Sequence, residues 1–187
     1  GREYYSRNNE TEKTYNNVMN RFKFGGLEKP GIYLDETVRR MCYTHRQLMA
    51  TLAMQLITEG KNDKAGKVLA KAEKYLPDYN LPMRYIGGGG DIARAYALLG
   101  NKAKAKKIVA DIWKDATQYL SWYVTLDNKY FPQYMNECLT QFYIMQRVIE
   151  VSQLIDEKLA GEQTKQMNAL YSIYLGRGGV DPNQGDS

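Results

Sequence analysis

Cys42 and His45 stand three residues apart, a spacing that puts a thiol and an imidazole on one face of a helix. An adjacent base can draw the proton from a thiol, so this pair is where nucleophilic chemistry would have to begin. His45 is the sole histidine, however, and no third group stands ready to orient it. A satisfied structural pair inside a packed helix is the expected state. The sequence has no H-E-x-x-H, no paired C-x-x-C and no nucleophile elbow. Its carboxylates read as helix caps and solvated faces. Catalysis by these residues is not expected, nor is a cofactor or a bound metal.

The run Gly87–Gly90 raises a second chemical question, because glycine-rich loops cradle phosphates. It lacks the Lys-Ser/Thr pair of a P-loop, and no strand pattern precedes it. The expected role is a flexible joint before Asp91, which can cap the next helix.

The elements that must position these residues follow a repeated grammar. From Met49 to Pro77 the landmarks are Met49, Leu52, Ala53, Leu56, Gly60, Ala65, Leu69, Ala72 and Pro77. From Ile92 to Ile112 they recur as Ile92, Ala93, Tyr96, Gly100, Ala105, Val109 and Ile112. Both sets keep the offsets of a tetratricopeptide motif. Small residues at 53, 65, 93 and 105 allow antiparallel helices to cross closely, and Gly60 and Gly100 end helices in a left-handed conformation. The second unit departs from the pattern: Gly89 stands where a large residue is due, and Thr117 replaces the closing proline. The repeat spacing is 40 residues (Ala65 to Ala105) against about 34 in the standard motif, so the extra residues fall in the connection 77–90. The predicted fold is all-α, a tetratricopeptide-like stack of antiparallel helix hairpins; an irregular bundle sharing the same crossings is the alternative. Such a stack offers a concave surface, which favours binding over chemistry.

Along the chain the expected organisation is an N-terminal helix and loop over 1–34 and two hairpins over 35–118. An aromatic connection with a C-terminal helix pair follows over 119–176, then a disordered tail over 177–187. The first helix is predicted over 10–23 with Asn9 as cap; Asp35 opens the next, Asp63 caps its partner, and Gly161 separates the last two. Cys42 and Cys138 both fall on apolar stripes, so buried free thiols are expected rather than a disulfide. No apolar run approaches the roughly 20 residues that cross a bilayer. Gly1 in place of Met reads as a cleavage scar, which suggests a piece of a longer protein. The formal charge of +5 is too modest to call for nucleic acid.

Binding residues are expected on the first helix of each hairpin: Arg39, Tyr43, Gln47, Thr51 and Met54, with Asp91 and Arg94 from the second. Their mixture of Arg, Gln and Tyr suits a protein segment or a glycan. The 16 tyrosines serve mainly as packing between helices. Lysines gather on the second helices, where a solvated convex face is the default. A sharper reading sets Lys64, Lys67 and Lys71 against anionic lipid, at about 1 kcal/mol each.

Three segments carry a family resemblance: KTYNNVMNRFKFGGLEKPGIYLDETVRRMCYTHRQL at 13–48, KYLPDYNLP at 74–82 and GDIARAYALLGNKAKA at 90–105. Together they resemble the C-terminal region of a family of large multi-pass membrane proteins of Bacteroidetes. Its function is unknown, and its membrane half looks like protein O-mannosyltransferases that use lipid-linked sugars. The resemblance runs from about Lys13 to Trp122. It implies an extracytoplasmic helical-repeat domain on the periplasmic side of the inner membrane, attached to a glycosyltransferase-like body. Catalytic residues of such enzymes lie in the membrane half, so none transfers to this chain.

Overall fold

A computed structural model describes residues 2–183 of the chain. Among them every regular element is helical: α1 (Arg2–Asn20), α2 (Glu36–Thr58), α3 (Asn62–Tyr75), α4 (Gly90–Leu98), α5 (Lys102–Tyr123), α6 (Met135–Ile155) and α7 (Glu157–Gly176). A π-type turn at Tyr85–Gly89 precedes α4, and a 3-10 turn at Phe131–Tyr134 precedes α6. The fold is all-α. No described helix is long and apolar enough to cross a membrane. The chain divides into two compact units, one ending at Ile108 and the other beginning at Val109.

In the first unit, the Asp35 carboxylate opens α2 by accepting the Val38 N–H at 2.9 Å. Cys42, Met49, Leu52, Ala53 and Leu56 then bury one stripe of that helix. Its end is set by three backbone bonds: Glu59 to Gln55, Gly60 to Ile57 and Lys61 to Leu56. With Gly60 at φ +75°, this is a Schellman turn. The end of α4 repeats it residue for residue, forty positions on: Leu99 to Ala95, Gly100 to Ala97 and Asn101 to Tyr96, with Gly100 at φ +83°. Ala53, Ala65, Ala93 and Ala105, the residues expected at helix crossings, are all buried.

Three helix starts differ from expectation. α1 begins at Arg2, so Asn9 lies inside the helix and is not its cap. Lys61 precedes α3 without a side-chain cap, and Asp63 sits in the first turn, where its charge suits the helix dipole. Gly90 already belongs to α4, which leaves Asp91 in the first turn.

In the second unit α6 and α7 pack as a pair. The break between them falls at Asp156, whose extended backbone (φ −160°, ψ 106°) interrupts the helix and whose carboxylate accepts the N–H groups of Lys158 and Leu159. Gly161 lies within α7 and breaks nothing. Cys138 and Tyr174 are fully buried here, and the Tyr174 ring lies beside Phe131, Phe142 and Tyr171. The Arg177 guanidinium crosses the Phe131 ring at 4.6 Å and donates to the Val124 and Leu126 carbonyls. Of the tail expected to be disordered, residues 184–187 lie outside the described part.

Candidate functional site

The forty-residue spacing has a physical origin in the connection between α3 and α4, and Arg46 is its centre. Arg46 is completely buried on α2. Its Nη2 donates to the carbonyls of Leu76 and Leu81 at 2.7 and 2.6 Å, and Nη1 reaches the Pro82 carbonyl at 3.2 Å. Burial pulls the guanidinium down to about 10, which still leaves it charged at neutral pH. Charged donors bind carbonyls more strongly than neutral ones, so a single side chain gathers the whole inserted loop. Tyr43, one turn earlier, adds its hydroxyl to the Pro82 carbonyl at 2.7 Å, and its ring stacks beneath Arg84 at 4.9 Å.

The glycine run is part of the same assembly. Gly87 and Gly88 both adopt φ +100°. A Cβ on Gly87 would meet the Tyr43 ring at 2.7 Å, and one on Gly88 would meet the Arg46 backbone at 2.9 Å. One on Gly89 would strike the Arg84 carbonyl oxygen. Gly88, Gly89 and Gly90 are buried. The run is a close-packed turn against α2, neither a phosphate cradle nor a loose joint.

This packing sets α4 beside α2 and brings expected binding residues together. Gln47 Nε2 donates to Asp91 Oδ2 at 3.0 Å and to the Thr51 hydroxyl at 3.2 Å. Arg39 and Thr51 are exposed; Gln47, Met54, Asp91 and Arg94 are half-buried. Tyr43 is half-buried too, with its hydroxyl and ring engaged by the connection. The side chains that the structure brings together are thus Gln47 and Thr51 from α2 with Asp91 from α4. Sequence reasoning missed Arg46. The available signal was its place between Cys42 and Ala50 (four residues to either side) on an otherwise apolar face.

The opposite side of α2 holds an open cleft of ≈ 460 Å³ between Val38, Met41, Cys42 and His45 and the segment that follows α1. His45 Nδ1 lies 2.7 Å from the Met41 carbonyl, and its ring meets Phe22 and Phe24 edge-on at 5.2 and 5.5 Å. Burial pushes the Cys42 thiol up, against what a nucleophile needs. Cys138 is likewise pushed up by burial, to about 11; both cysteines are free thiols. Among the described residues no group of three or more His, Cys, Asp or Glu is arranged to hold a metal.

Two lysines of α3, Lys64 and Lys71, and Lys61 just before it are engaged by α1 and its C-terminal end. Lys64 pairs with Glu12 at 2.7 Å, and Lys61 bridges Glu12 and Glu59, each at 2.9 Å. Lys71 donates to the carbonyls of Val18, Met19 and Phe22, capping the end of α1, and burial lowers its pKa. Of Lys64, Lys67 and Lys71, Lys67 is exposed and the other two are half-buried. Comparison of the chain with protein-family models, curated proteins and solved structures gives no match.

Proposed function

We propose that this chain is a non-catalytic, tetratricopeptide-like binding scaffold whose α2–α4 face engages a protein segment or a glycan. One observation carries the reading: the same turn and the same small-residue crossings recur after forty residues, at Gly60 and Gly100. A repeat of this kind sets the first helices of successive hairpins side by side. Arg39, Gln47, Thr51, Asp91 and Arg94 then lie on one face, with two guanidinium groups able to hold carboxylates or sugar hydroxyls. The resemblance of residues 13–122 supports a place beside a membrane-embedded glycosyltransferase-like body, on the periplasmic side. The alternative is a free-standing protein-interaction module built on the same face.

Site-specific photo-crosslinking in the native host tests the proposal. A photoreactive residue at Thr51 should trap a discrete partner, and one at Lys67 should trap none. Adducts from position 67 with none from 51 would move the binding face to α3. Retention on immobilised glycans, without polypeptide adducts, would select the glycan.

A further inference from the structure

We infer that the cleft on the other side of α2 is a docking site for a partner-protein segment carrying a bulky apolar side chain flanked by carboxylates. This goes beyond the α2–α4 reading and does not depend on it. Positions 38, 41, 42 and 45 form a face of α2 distinct from the row 39, 43, 47.

Three features define the occupant. The floor is aromatic: Phe22 and Phe24 stand edge-on to His45, and Phe24 also lies against Tyr75, with centroids 6.1 Å apart. Met41, 55 % exposed, leaves an apolar wall without a cover. The rim is cationic, because Arg21 and Lys23 are exposed and the lining contains no carboxylate. An apolar anchor alone would leave the two cations unanswered, and a single phosphate would leave the floor empty. A volume of ≈ 460 Å³ accommodates one large side chain with its neighbouring backbone.

The cleft is also built in advance. Lys71 holds the carbonyls of Val18, Met19 and Phe22 at one end of the segment. At the other, Asn80 Nδ2 donates to the Leu27 and Lys29 carbonyls and the Tyr79 hydroxyl to that of Glu28. A segment pinned at both ends loses little freedom when a ligand arrives, which favours affinity.

Fluorescence anisotropy with the labelled peptide GDELFDEG tests the inference. Saturable binding is expected, weakened about tenfold or more by replacing its acids (GSNLFSNG) or its anchor (GDESSDEG), since both contributions are needed. The ring signals of His45, the sole histidine, should shift on binding. Arg21→Glu with Lys23→Glu, and separately the exposed change Met41→Asp, should each reduce affinity about tenfold or more with an unchanged melting midpoint. Lys67→Ala on the exposed side of α3 should leave it intact. The inference is overturned by absent saturable binding, or by binding indifferent to the cleft variants. It is equally overturned if these variants abolish binding to phosphatidylserine vesicles but not to the peptide, or if they dissolve a dimer that occupies the cleft.

Discussion

The turns at Gly60 and Gly100 and the connection from Leu76 to Gly90 all redirect the chain, yet they are held by opposite means. Each Schellman turn is closed by backbone bonds within six residues, and a Cβ on either glycine would meet nothing within 4 Å. Only the positive φ asks for glycine there. The connection is held from outside, by Arg46 and Tyr43 of α2; Gly87 and Gly88 are required by φ and by space together, Gly89 and Gly90 by space alone. A locally closed turn repeats wherever its short motif repeats. A turn held at a distance depends on a residue thirty to forty positions away, and it fixes where α4 lies.

Substitutions should separate the two regimes. Arg46→Met is expected to cost the most, about 3–5 kcal/mol, because two short charged hydrogen bonds vanish and buried carbonyls lose their donor. Chemical denaturation measures it, and a loss under 1 kcal/mol would mean that the loop holds itself. Gly88→Ala should follow at about 2–4 kcal/mol, combining a left-handed conformation with a clash against Arg46 backbone. Ala65→Leu or Ala105→Leu should each cost about 1–3 kcal/mol by overpacking a helix crossing, and unchanged melting midpoints would sink the hairpin alignment. Gly60→Ala and Gly100→Ala, with φ strain but open space, should cost about 1 kcal/mol apiece and resemble each other.

The smallest effect concerns pH. Hydrogen bonds from Lys64 and Lys61 hold the Glu12 carboxyl below its ordinary value of 4.5 in the folded state. Its contribution is therefore present above pH 4.5 and lost as pH falls through the lowered folded value. The group is partly solvated, so the gain is slight. Glu12→Gln should flatten the acid limb of a stability–pH curve and leave the neutral region unchanged in shape; a full acid limb in this variant would assign it to other carboxylates.

The same division explains what the sequence made legible. Asp35, Gly60, Gly100 and the four alanines act on neighbours within a turn or at a fixed offset, and all were readable. Gly161 misled because a glycine on an exposed helix face is tolerated, whereas Asp156 both breaks and caps. Asn9 resembled a cap, but nothing interrupts the helix before it. Arg46 could not be read as a loop organiser, because its acceptors are backbone carbonyls that leave no trace in residue type. The glycine run suggested freedom for a related reason: the groups crowding Gly87 and Gly88 come from Tyr43 and Arg46 of α2, about forty residues away in sequence. Among the candidate binding residues, Gln47 is hydrogen-bonded to Thr51 and Asp91, while Tyr43 proved committed to the connection.

The central claim is that Arg46 and the packed glycine turn hold α4 against α2 and so create the polar face. Cross-linking across the Gln47–Asp91 contact tests it most directly. Gln47→Cys with Asp91→Cys, treated with a short bis-maleimide, should give rapid intramolecular closure in the otherwise native chain. Adding Gly88→Ala should slow that closure about tenfold or more while the helical content persists, since about 2–4 kcal/mol of local strain is enough to shift a packing equilibrium by that factor. Equal closure rates with and without the alanine would contradict the claim.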